Sequence, residues 1–131
     1  MGPPTLKAIL DTSVLIAADI PPLEGDLAIS AAALAELHFG VLVTADAAVR
    51  AERLRRLSEL QRRFTALPVD EAVATSYGQL AAAVVAAGRQ PRARVMDLLI
   101  AATAHAYSAR LYTRNPGDLA GTENLIEIVS V

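Results

Sequence analysis

The chain has 131 residues, 53% of them hydrophobic, a formal net charge of −2, and neither cysteine nor tryptophan. That length and apolar content suit a single domain over 1–131 with a sizeable core and exclude a disordered chain. The missing cysteines exclude a disulfide framework, a zinc–thiolate site and a cysteine nucleophile.

The slight acidity and the 4% aromatic content argue against a basic nucleic-acid coat protein and an aromatic stacking platform. They leave room for an enzyme that grips a short stretch of backbone locally. No apolar run approaches the roughly 18 residues of a membrane span. The start, MGPPTLKAILD, lacks a basic region followed by an apolar stretch, so a cytoplasmic location with no membrane partner is expected. The basic residues are almost all arginine, with Lys7 the only lysine. Arginine suits bidentate phosphate contacts.

In chain order, Lys7 to Leu10 predicts a short buried strand ended by Asp11. Thr12 to Ala17 predicts a helix start, closed by Pro21 and Pro22. Leu27 to Ile29 predicts a second strand, and Ser30 the N-cap of a helix from Ala31 to about Val43. Asp46 predicts the N-cap of a long helix reaching about Phe64. Its apolar stripe is Leu54, Leu57, Leu60 and Phe64, with Arg50 and Arg53 intruding on it. Leu67 to Val69 predicts a third strand, and Glu71 to Ala87 a helix ended by Gly88. GRQPRAR reads as a basic loop. Asp97 to Ser108 predicts a helix that is apolar nearly all round, hence buried. Leu111 to Thr113 and Leu125 to Val129 predict the last two strands.

Short strands alternating with helices predict an α/β fold with a mostly parallel sheet. In such sheets ligands sit beyond the carboxyl ends of the strands. Four acids lie beside buried segments: Asp11, Glu36, Asp97 and Asp118. Each also has an ordinary structural reading. Asp11 and Asp97 are natural acids for helix starts, and Asp118 and Asn115 are common turn residues. Glu36 sits within a helix among alanines, where an inward carboxylate needs a partner. Together the four predict convergence on a positive charge, and a divalent cation is the simplest candidate, because hard cations take oxygen ligands. His38 and His105 read as packing or surface residues. Thr12 and Ser13 have no evident base beside them and read as hydrogen-bonding partners of a water or a phosphate oxygen. Tyr77, Tyr107 and Tyr112 read as core or edge residues with a polar tip.

The segments ILDTSVLIA, AELHFGV, RVMDLLIAATAHA and LYTRNPGDL carry a resemblance along essentially the whole chain. In order, spacing and flanking residues the chain resembles a PIN-domain ribonuclease, specifically a VapC-type toxin of a toxin–antitoxin pair. The resemblance implies a three-layer α/β/α sandwich and a metal-dependent endoribonuclease using Mg²⁺ or Mn²⁺. It implies Asp11 and Asp97 as the metal ligands and Glu36 and Asp118 as the acids that complete the catalytic pocket. It assigns Thr12 and Asn115 to ordering the pocket. It also implies RNA as substrate, a cognate antitoxin as partner and a homodimer. Leu119 departs from the pattern, which more often has an aromatic residue after the last acid. An acidic pocket repels phosphate, so Arg92, Arg94 and Arg114 are the candidates for holding RNA. The helices from Ala31 to Phe64 are the expected docking surface for the antitoxin.

Other phosphate chemistries fit less well. A haloacid-dehalogenase-type phosphatase needs an aspartate where Ser13 stands, and a receiver domain needs a late lysine. A nucleotide-binding turn needs glycines that DTSVLIA lacks. The alternative from another class is a catalytically idle PIN-like module that only binds RNA or protein.

Overall fold

The computed structural model describes residues 7–131. The reading of the first residues as no leader segment lies outside them. Five strands form one sheet: β1 (Lys7–Leu10), β2 (Asp26–Ser30), β3 (Thr65–Leu67), β4 (Arg110–Thr113) and β5 (Ile128–Ser130). The order is β3-β2-β1-β4-β5, with every neighbouring pair parallel. The expected α/β architecture is therefore present. Ile9 of β1 lies opposite Ala28 of β2 and Leu111 of β4, and this central stretch is fully buried. Strands covered on both faces need such continuous apolar runs.

The helices are α1 (Thr12–Leu15), α2 (Ala31–Val43), α3 (Ala47–Arg63), α4 (Glu71–Ala86) and α5 (Val95–Ala106). Side chains cap four of them. Asp11, Ser30, Asp46 and Asp70 each accept a hydrogen bond from a first-turn amide, the bonds running from 2.9 to 3.3 Å. Each cap satisfies a donor that the helix cannot satisfy itself. Helix α4 ends as its sequence predicts. Gly88 takes a left-handed φ of 79°, and the amides of Gly88 and Arg89 close back on the carbonyls of Val85 and Val84. A side chain at Gly88 would strain that turn.

Helix α5 is the centre of the core. Leu98, Ile100, Ala101, Ala102, Thr103 and Ala104 are all buried. The alanines let it lie close to β1, β2 and β4, while Leu98 and Ile100 fill the space between. Burying each of those two side chains stabilises the fold by about 1.5–3 kcal/mol.

Several boundaries differ from the sequence reading. Strand β3 is Thr65–Leu67, three residues that pair with Ala28 to Ser30, rather than Leu67 to Val69. Pro68 has no amide hydrogen to carry the ladder further. The GRQPRAR segment is not simply a loop, because Pro91–Arg94 forms a 3₁₀ turn that runs into α5. Helix α5 therefore starts at Val95 and places Asp97 within its first turn. The last strand is Ile128–Ser130 rather than Leu125 to Val129. The amides of Leu125 and Ile126 both turn back to the carbonyl of Thr122, which occupies them in a tight turn instead. In α3, Leu57 is buried but Leu54 is exposed. Arg50 and Arg53 intrude on the apolar stripe because they reach the end of α2: Arg50 donates to the Thr44 carbonyl, and Arg53 to the Gly40 carbonyl and the Thr44 hydroxyl.

Candidate active site

The chain runs outward from β1 to β2 and β3, then returns to β4 and β5 on the other side of β1. The direction of winding thus reverses between β1 and β4, where the loops at the carboxyl ends of the strands part and leave a crevice. Asp11 follows β1 there. The turn Arg114 to Leu119 follows β4 there, with Asp118 in a 3₁₀ turn of four residues, Pro116–Leu119. Helix α2 brings Glu36 and the first turn of α5 brings Asp97.

Hydrogen bonds fix these groups. The Ser13 hydroxyl donates to Asp11 Oδ1 in a short contact. Ser13 Oγ in turn accepts the Arg114 amide at 3.0 Å, and Thr113 Oγ1 lies 3.5 Å from it and accepts the Asn115 amide at 3.0 Å. The carboxylate after β1 is thereby tied to the turn after β4. Thr12 donates to Glu36 Oε1 at 2.6 Å and aims that side chain at the crevice. The fully buried Thr103 hydroxyl donates to the Leu99 carbonyl at 2.9 Å and shares a 3.0 Å hydrogen bond with the Ser30 hydroxyl, linking α5 to the end of β2.

Arg94, the last residue of the 3₁₀ turn, places Nη2 3.2 Å from Asp118 and Nη1 3.8 Å from Asp97. Burial holds the Asp97 carboxyl above the usual aspartate range. The negative charges of Glu36 and Asp118 push it further, Asp11 adds less, and Arg94 opposes the rise. All four acids that the sequence singles out therefore act on one point. Among the described residues no three of them close into a ready-made metal cage. Ser13 engages Asp11, Thr12 engages Glu36, and Arg94 bridges Asp97 and Asp118. The donor set is all oxygen and carries excess negative charge, so its chemistry fits a hard divalent cation.

The remaining candidates divide. Asn115 is exposed at the rim of the crevice. Arg114 lends its amide to the site, but its guanidinium donates to Asp19 Oδ1 at 2.6 Å. Arg92 is exposed. Neither histidine belongs to the cluster: His38 is exposed, and His105 pairs with buried Ser76 at 2.8 Å between α4 and α5. Tyr112 is a core residue whose hydroxyl donates to the Glu24 carbonyl at 2.8 Å. Thr113, Asp19 and Arg56 escape a reading of the sequence. Arg56 donates from α3 to the carbonyls of Leu15 and Ala17 at 2.9 Å each and closes the end of α1. Only for Thr113 was there a signal, a hydroxyl residue that ends a strand and opens TRN.

Fold and site define a parallel α/β protein with a carboxylate pocket at its switch point. Residues 8–120 match the family model of the PIN domain. Ribonuclease VapC8 of Mycobacterium tuberculosis is 40% identical over 100 residues, covering 73% of this chain and 88% of that protein. Ribonuclease VapC5 of the same species is 34% identical over 131 residues, covering 94% of each. The crystal structure of VapBC-5 from Mycobacterium tuberculosis, a member of the VapBC family of toxin–antitoxin systems, superposes with a TM-score of 0.84. It is 34% identical and covers 96% of this chain and 99% of that one. The chain belongs to the PIN-domain family, within its VapC group.

Proposed function

We propose that this protein is a metal-dependent endoribonuclease that hydrolyses RNA phosphodiester bonds and acts as the toxin of a toxin–antitoxin pair. The observation that carries the proposal is the convergence of Asp11, Glu36, Asp97 and Asp118 on one crevice in a chain of the VapC group. Asp11 and Asp97 would hold the cation, and Glu36 and Asp118 would complete the pocket. A bound Mg²⁺ or Mn²⁺ supplies charge neutralisation and Lewis acidity at the scissile phosphate. Around it, Thr12 orients Glu36 and Ser13 orients Asp11. Asn115 and the guanidinium groups of Arg94 and Arg114 stand at the rim, where bidentate contacts to a phosphate are available. To reach it Arg114 must leave Asp19, and Arg94 must leave Asp97 and Asp118.

A groove of about 500 Å³ runs from Thr12 and Glu36 along α2 and α3, past Leu37, Val41, Arg56 and Leu57. Beyond it Phe39 and Leu42 are 68% and 71% exposed. These surfaces support the docking of an antitoxin that covers the acids, and a homodimer. No helix among the described residues is long and apolar enough to cross a membrane, and a cytoplasmic site of action suits a toxin of this kind.

The test is cleavage of total RNA by antitoxin-free protein with Mg²⁺, with excess chelator, and with Asp97→Ala. Discrete fragments only from the native chain with metal support the proposal. Equal cleavage in the chelator lane refutes metal dependence, and equal cleavage by Asp97→Ala refutes the site. A second reading, an idle binding module, draws on the absence of a preformed cage among the described residues. No cleavage in any lane, with no metal-induced rise in melting temperature, favours it.

A further inference from the structure

Among the described residues Arg94 is the only cation in ion-pair contact with any of the four acids, and it contacts Asp97 and Asp118. We propose that Arg94 is a built-in counter-ion of this pocket, holding the Asp97–Asp118 side until a divalent cation displaces it and then turning to the RNA phosphate. The proposal rests on the metal-dependent reading above and adds a residue that sets how readily the site loads.

The placement is local in origin. Pro91–Arg94 forms a 3₁₀ turn directly before α5, so Arg94 and Asp97 are three residues apart at the start of one helix and share a face. Asp118 reaches the same guanidinium from the turn after β4. Arg89 donates to the Gly117 carbonyl at 3.0 Å, which ties the segment before the 3₁₀ turn to the turn that carries Asp118. The Arg94–Asp118 contact therefore does not depend on one flexible side chain alone.

The grip is suited to release. Arg94 offers one nitrogen to each carboxylate, at 3.2 and 3.8 Å, rather than a two-pronged fork to either. Its side chain is 42% exposed, so water screens both pairs. Beside it lies a cleft of about 250 Å³ lined by Arg89, Gln90, Ala93 and Asp118, which gives the guanidinium room to withdraw. A guanidinium and a divalent cation drawn to the same two carboxylates compete for their negative charge and repel each other. The consequence is an ordered pocket whose negative charge is partly offset without metal, with weaker metal affinity than four bare carboxylates would have.

The experiment is calorimetric titration of Mn²⁺ into the full chain and into Arg94→Gln and Arg92→Gln. Arg94→Gln should bind Mn²⁺ roughly threefold to thirtyfold more tightly than the native chain, the span expected for losing two screened ion pairs. Arg92→Gln, which removes an equal charge nearby but off the acids, should stay within about twofold on the same scale. Metal-free Arg94→Gln should also melt below the native chain and gain more on adding Mn²⁺. Unchanged or weaker binding by Arg94→Gln overturns the proposal, and so does an equal gain in Arg92→Gln, which would mark a general field effect. In both cases the native chain still binds Mn²⁺ and the metal-dependent reading stands. If no chain binds Mn²⁺ and cleavage survives chelator, that reading falls and takes this one with it.

Discussion

Asp97→Asn should stabilise the metal-free protein while abolishing cleavage. The substitution keeps the shape of the side chain and removes its charge. Burial, then Glu36 and Asp118, holds the Asp97 carboxyl above the usual aspartate range, against the opposing pull of Arg94. The sign follows from linkage. A carboxyl whose pKa is raised by folding binds its proton more tightly in the folded chain. Its stabilising contribution is complete below the unfolded value and is lost as pH rises through the folded value. At neutral pH the native chain therefore carries an unrelieved penalty that asparagine lacks. The Asp97 side chain is 35% exposed, so solvent screening limits the effect. A gain of about 0.5–1 kcal/mol is expected, or roughly 2–4 °C in melting temperature for a domain of this size. The assay is thermal melting with chelator across a pH series. The gap between variant and native should be widest near neutrality and should close as pH falls into the range where Asp97 is protonated. In Mg²⁺ the order should reverse, because ligand binding stabilises only the chain that retains the site. A variant that melts below native at neutral pH in chelator would show that Asp97 is not held against its neighbours' charge, and the convergence of the four acids would lose its electrostatic support.

Ser13→Ala removes the hydroxyl shared by Asp11 and the Arg114 amide; it should cost about 1–2 kcal/mol in denaturant unfolding and lower kcat more than it raises KM. Thr12→Val should leave stability within about 1 kcal/mol yet lower cleavage, since Glu36 loses its 2.6 Å donor; full activity would show that Glu36 needs no aiming. Arg114→Ala should weaken RNA binding and reduce its salt slope by about one, and an unchanged slope would remove Arg114 from the rim. Ile100→Ala, at the fully buried centre of α5, should cost about 2–5 kcal/mol by leaving a cavity, read as a lower denaturant midpoint at unchanged slope.

Much of this protein is legible in its sequence because local physics decides it. Ser30 and Asp46 cap the helices they precede, Gly88 ends α4 in a left-handed turn, and the all-round apolar stretch after Asp97 is the buried helix. Each depends on a few adjacent residues and their periodicity. The four acids were legible too, as carboxylates standing beside segments that must be buried. Where the boundaries moved, a nonlocal partner or a missing donor moved them: Pro68 stops β3, and Thr122 holds the residues before β5 in a turn.

Tertiary structure alone decided the strand order, and with it the reversal between β1 and β4 that forms the crevice. It decided that Ser13 and Thr113 meet, 100 residues apart, and that Glu36 takes its hydrogen bond from Thr12, 24 residues away. The arginines show the limit most clearly. Arg94 and Arg114 are equally plausible phosphate ligands on sequence grounds, yet Arg94 lies against Asp97 and Asp118 while Arg114 turns out to Asp19. A long charged side chain reaches any of several partners within its radius. Which one it takes depends on what the fold brings there, and that is a property of packing rather than of neighbouring residues.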